Sequence, residues 1–147
     1  MKVVILAGGF GTRMKEINNG TPKALMKIDN VVFLDYLLEK VFKYVITHVY
    51  LSIHYKPEYF HEYIENFIHK DKISAIVELQ PLGTGGAVKY VINNSNITSP
   101  FVVINGDSLS DIKLDQMFTE FENSDIKAMV GISEVEDTER YGTVVVE

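Results

Sequence analysis

The sequence predicts an α/β fold in which a mostly parallel sheet lies between two layers of helices. Three observations lead there. Short runs of β-prone apolar residues alternate with amphipathic helical segments along the chain, the order that produces parallel strands covered on both faces. Polar, glycine-bearing loops follow three of the strand-like runs, "AGGFGTR", "QPLGTGG" and "NGDS", and open parallel sheets bind ligands at the carboxyl ends of their strands. Finally, 147 residues with 46% hydrophobic and 23% charged content suit one globular domain that buries roughly 70% of its unfolded surface.

Each element has its own signal. "MKVVIL" reads as a buried strand, because Val3 to Leu6 is an unbroken β-prone run. "FLDYLLEKVFKYV" puts Leu34, Leu37, Leu38, Val41, Phe42 and Val45 on one helical face. "HVYLSIHY" follows as a strand, and Pro57 marks the first turn of the next helix. That helix, "EYFHEYIENFIHK", gathers Tyr59, Phe60, Tyr63, Ile64, Phe67 and Ile68 on one face. "ISAIVELQ" is the next strand and "GGAVKYVINN" a helix starting among glycines. "FVVINGD" reads as a buried, central strand, and "LDQMFTEFEN" as a short helix with Leu114, Met117, Phe118 and Phe121 inward. "KAMVGISEV" and "YGTVVVE" are β-like. No repeat, linker or low-complexity tract interrupts the series. The expectation is a single three-layer α/β/α domain, Rossmann-like, over residues 1–147.

Composition excludes several functions. There is no cysteine, so disulfide scaffolds, thiolate zinc sites and cysteine nucleophiles are ruled out. A net charge of −6 argues against non-specific nucleic-acid binding, which phosphate neutralisation drives. No apolar run approaches the ~18–20 residues that cross a bilayer, so no membrane partner is expected. The N-terminus lacks a secretory signal, and the cytoplasm is the expected compartment. His48, His54, His61 and His69 show no metal-ligand spacing and read as surface or strand-edge residues.

The three loops carry the chemistry. In "LAGGFGTRM" no Cβ at Gly8, Gly9 or Gly11 keeps a ligand from the backbone. Arg13 ends the loop with a planar cation suited to phosphate, and Lys23 in "TPKALMKI" adds a second charge. The spacing fits neither the dinucleotide fingerprint, where Met14 stands at the last glycine, nor a P-loop. In "QPLGTGGAV", Gln80 can read a base edge through its amide. Gly83, Gly85 and Gly86 leave room for a planar base, and the helix start favours negative charge. Asp107 in "NGDS" reads equally as a turn residue or as a carboxylate holding Mg²⁺ against ligand phosphates.

Taken together and in this order, the loops resemble the sugar-phosphate nucleotidyltransferases. "LAGGFGTRM…TPKALMKI" is similar to that family's signature, and "QPLGTGGAV" and "INGDS" extend the match over nearly the whole chain. "LGTGGAVK" and "NGDS" look most like the heptose- and mannose-1-phosphate guanylyltransferases. The resemblance implies a nucleotide-diphospho-sugar transferase fold and attack of a sugar 1-phosphate on the α-phosphate of an NTP, GTP favoured, with release of pyrophosphate. It implies that the backbone of Ala7 to Thr12 wraps the phosphates, with Leu6, Gly8, Gly9 and Gly11 in the nucleotide site. Arg13 would hold the departing pyrophosphate, and Lys23 the α-phosphate region and the sugar phosphate. Gln80 and Gly83 would read the base beside Pro81 and Thr84. Asp107, next to Gly106, would ligate Mg²⁺, and Tyr141 and Gly142 in "RYGTV" would lie near the sugar.

Family members run on beyond the equivalent of Glu147, so the domain is expected to be cut short at its carboxyl end. The chain is therefore expected to bind Mg²⁺–NTP but to transfer nucleotide poorly. The apolar stretch Val144 to Val146 is expected to promote self-association as an exposed edge strand. Two other readings remain: a nucleotide-sugar-dependent glycosyltransferase, disfavoured because Ser108 and Leu109 follow Asp107 where D-x-D is typical, and a catalytically silent nucleotide-binding or regulatory module.

Overall fold

The computed structural model describes residues 1–9, 20–135, 138 and 142–145. Its elements run β1 (Lys2–Leu6), β2 (Lys27–Ile28), β3 (Val31–Val32), α1 (Phe33–Phe42), β4 (His48–Ile53) and α2 (Pro57–Glu65). They continue with β5 (Ile73–Val77), α3 (Gly83–Asn93), β6 (Phe101–Asn105) and α4 (Leu114–Glu122). The elements group into two units, Met1–Asp111 and Ile112–Glu147.

In the first unit β1, β4, β5 and β6 form one parallel sheet in the order β5-β4-β1-β6. The parallel pairing follows from the helices that return the chain to the same end of the sheet each time. Val3 and Ile5 point to one face, Val4 and Leu6 to the other, as the period of two requires. The first face is covered by Leu34, Leu37, Leu38 and Val41 of α1 and by Phe60 and Ile64 of α2. Val91 of α3 packs on the second face against Val4 and Tyr50. Helices therefore lie on both sides of the sheet, giving the three layers expected. Burying each such aliphatic side chain contributes about 1.5–3 kcal/mol. β2 and β3 form a separate hairpin whose turn residues, Asp29 and Asn30, have φ of 50° and 68°, the left-handed pair that a tight two-residue turn needs.

Several sequence expectations need correction. Val45 is not on the core face of α1. The helix ends at Phe42, Val45 is 88% exposed, and Ile46 turns inward instead. α2 likewise stops at Glu65, which leaves Ile68 exposed, and Tyr59 also faces outward. β6 is the edge strand of the described sheet and only half-buried; β1 is central. In the second unit α4 turns Leu114, Met117, Phe118 and Phe121 to its less exposed side, as its periodicity predicted. Residues 127–135 and 142–145, however, form no strand, because β-prone residues become a strand only against a paired neighbour. Among the described residues no helix is long and apolar enough to cross a membrane.

Candidate active site

The strand order reverses at β1. The chain first builds outward to β4 and β5, then α3 carries it back to place β6 on the other side of β1. At such a reversal the loops leaving adjacent strands diverge and open a crevice at the carboxyl ends. A cavity of about 360 Å³ lies there. Leu6, Ala7, Gly8 and Gly9 supply its β1 wall, and Asn105, Gly106 and Asp107 its β6 wall. The two walls are close: the Gly106 amide donates to the Leu6 carbonyl at 2.9 Å. A Cβ on Gly106 would stand 2.7 Å from that carbonyl oxygen, so only glycine fits the junction.

Lys23, in the short helical turn Lys23–Leu25, reaches the cavity from the hairpin side. Its Nζ donates to Asp107 Oδ2 at 2.7 Å, and Ser108 Oγ donates to Asp107 Oδ1 at 3.1 Å. The bond from Lys23 holds the Asp107 carboxyl below the ordinary carboxylate range, against the opposing effect of partial burial. Both partners remain exposed, by 40% and 44% of their side chains. Behind them Lys40 of α1 donates to the Ser110 carbonyl and, at 2.7 Å, to Asp111 Oδ1. The loop that carries Asp107 is thus tied back to a core helix.

The opposite wall is built differently. Pro81, Leu82, Gly83 and Thr84 bring the start of α3 to the cavity, with Gly83 at φ +67°. Glu78, just past β5, also lines the cavity and is only 6% exposed. Its Oε1 accepts from Ser52 Oγ at 2.7 Å, and its Oε2 accepts from the Leu82 amide at 3.3 Å. Its own amide donates to the Ile53 carbonyl at 2.7 Å, and its carbonyl is 2.8 Å from His54 Nδ1.

The structure therefore gathers Leu6, Ala7, Gly8, Gly9, Lys23, Pro81, Gly83, Thr84, Gly106 and Asp107 around one cavity. Gln80 is exposed and does not line it. Glu78 stands at that wall instead, a residue the sequence reading passed over. Its signal was the one that marked Asp107, a carboxylate just past an apolar strand and ahead of a glycine-bearing loop. Gly11, Thr12, Arg13 and Tyr141 lie outside the described residues, and Gly142 is exposed in the second unit.

A magnesium ion that keeps part of its water shell and takes phosphate oxygens needs only one or two protein carboxylates. Asp107 can supply one by exchanging Lys23 for the ion. Among the described residues no group of three or more His, Cys, Asp or Glu could hold a metal. The donor set suits an ion that arrives with a nucleotide better than a metal cage.

The sequence pattern of the nucleotidyl transferase family matches residues 2–147. A D-glycero-α-D-manno-heptose 1-phosphate guanylyltransferase of Campylobacter jejuni is 35% identical over 98% of this chain, which spans 62% of that protein's length. The mannose-1-phosphate guanylyltransferase catalytic subunit beta of Dictyostelium discoideum is 30% identical over 99% of the chain and 41% of its own length. Among solved structures, HddC from Yersinia pseudotuberculosis in complex with GMP-PN is similar with a TM-score of 0.73 and 35% identity. The likeness covers 84% of this chain and 55% of HddC. A UDP-glucose pyrophosphorylase at 21% identity, TM-score 0.66, shares the fold. With its parallel sheet, its cavity at the strand reversal and this match along its length, the chain belongs to the nucleotidyl transferase family.

Proposed function

We propose that this chain binds guanosine triphosphate and serves guanylyl transfer to a sugar 1-phosphate. The observation that carries the reading is the asymmetry of the cavity. Glu78 follows β5 and Asp107 follows β6, at opposite edges of the four-stranded sheet. Three strand spacings separate them, about 14 Å, a span suited to an extended nucleoside triphosphate. A carboxylate only accepts hydrogen bonds. Guanine, alone among the common bases, offers two adjacent donors, N1–H and the 2-amino group, to such a partner. The guanylyltransferases among the relatives support the same base.

At the other end, the Gly8–Gly9 backbone after β1 and the Lys23 ammonium line the cavity where phosphate charge would lie, with Arg13 assigned there by sequence. In the reaction a sugar-phosphate oxygen forms a bond to the α-phosphorus, the bond to the β-phosphate oxygen breaks, and pyrophosphate leaves with the electron pair. No covalent protein intermediate is needed. Positioning and charge stabilisation do the chemistry. Mg²⁺ held by Asp107 would neutralise charge on the phosphates.

Calorimetric titration of the chain with GTP, ATP, UTP and CTP in Mg²⁺ tests the base. GTP is expected to bind about tenfold tighter than the others, the lower end for a hydrogen bond to a charged group. A pyrimidine triphosphate binding ten times tighter than GTP refutes the reading. Pyrophosphate release with mannose or heptose 1-phosphate tests the transfer.

A further inference from the structure

Ser52 is a polar residue where core packing gives no reason for one. It is fully buried in β4, paired in register with Leu6 of β1 and Ile76 of β5. Tyr50, on the same face of β4, packs against Val4 and Val91. An alanine or valine would serve that layer, and a buried hydroxyl must find a partner. Its partner is Glu78 Oε1, at 2.7 Å.

We propose that Ser52 is a specificity-determining positioning residue, whose hydroxyl fixes the plane of the Glu78 carboxylate so that its free lone pairs face the base. The inference rests on the guanine reading above. Glu78 is anchored through its amide and its carbonyl, which places its Cα but leaves the side-chain torsions free. Those torsions are set by the two donors on the carboxylate, Ser52 Oγ on one oxygen and the Leu82 amide on the other. Each oxygen has two lone pairs, so one on each remains for a ligand. With a single donor the carboxylate can swing about the Leu82 contact. Two parallel hydrogen bonds to a planar edge depend on that angle. Gly8, beside Oε1, has no side chain to replace the missing restraint.

Inosine triphosphate differs from GTP only by lacking the 2-amino group, so the GTP-to-ITP affinity ratio reads the second hydrogen bond alone. The ratio is measured with Mg²⁺ by calorimetry for the wild-type chain, Ser52→Ala, Ser52→Cys, Glu78→Gln and the double variant Ser52→Ala/Glu78→Gln. The wild type is expected to favour GTP about tenfold. Ser52→Ala should bring the ratio to within about twofold of unity, chiefly by weakening GTP, and Ser52→Cys, with a weak donor, should fall between. The double variant should discriminate no worse than Glu78→Gln, since both changes remove one arrangement. A Ser52→Ala chain that keeps the wild-type ratio overturns the proposal, as does one that loses GTP and ITP affinity equally, the mark of a purely structural residue. If Glu78→Gln keeps the wild-type preference, the guanine reading itself falls, a result separable from failure of Ser52 alone.

Discussion

The two walls of the cavity are built on opposite principles. On the β5 side a buried carboxylate is held by a hydroxyl and an amide before any ligand arrives. On the β6 side an exposed carboxylate is paired with an exposed ammonium. The first arrangement has nothing to rearrange, and preorganisation of that kind favours selectivity. The second would have to open for its charges to meet a ligand, because Asp107 and Lys23 satisfy one another. On the function proposed above, the contrast would separate recognition of the base from handling of the reacting phosphates.

The largest expected effect comes from breaking the phosphate side. Lys23→Ala, and Arg13→Ala in the glycine-bearing stretch before it, should each lower the pyrophosphate-release rate of an active, full-length form by about 10²–10³, the usual cost of losing one preorganised charge contact. Thermal unfolding should hardly change, since an exposed ion pair contributes at most about 1 kcal/mol. Near wild-type rates in both variants would remove the phosphate role.

Next in size is Asp107→Asn. A neutral amide is a poorer ligand for a hard cation, so GTP affinity in Mg²⁺ should fall roughly tenfold toward its value in EDTA. The GTP-to-ITP ratio should stay put, which sharpens the contrast with Ser52→Ala. Titration with and without the metal decides it. An unchanged metal dependence makes Asp107 a turn residue.

The smallest effect is electrostatic. Because Lys23 holds the Asp107 carboxyl below its ordinary range, the pair stabilises the fold above that range and loses its contribution as pH falls through the lowered value. Carboxyl-carbon NMR should show Asp107 titrating below the ordinary carboxylate range, and Lys23→Met should move it upward. The accompanying stability change should stay under about 1 kcal/mol, as both groups are exposed.

How much of this was legible in the sequence varied with the range of the interaction. The four strands were, because buried parallel strands appear as short apolar runs whatever their neighbours. Val45 and Ile68 were misplaced because periodicity continues past the point where a helix stops. The stretch "KAMVGISEV" has strand composition, but pairing is decided by a neighbour that composition does not name. In the site, Lys23 and Asp107 were legible as charges on loops. Their ion pair spans 84 positions and left no local trace. Glu78 was hidden inside what looked like the end of a strand. Gln80, two residues on, was the base reader expected from sequence; it is exposed and does not line the cavity. Ser52 gave no warning, since its partner lies 26 residues away.

The crossover of α3 sets a timetable as well as a shape. β1 lies beside β4 early in the chain, but its other neighbour begins at Phe101, about one hundred residues away. Contacts of such separation close slowly, because loop entropy is lost before any pairing compensates it. At a ribosome adding about 5–20 residues per second, the first amino acids of β1 wait seconds before the strand that completes their ladder is made. Gly106 and Asp107 follow directly on that strand, so the crevice cannot exist until this slowest pairing is in place. Nucleotide capture should therefore report completed folding of the sheet, and a ligand added during refolding should trap only molecules that have already made the last join.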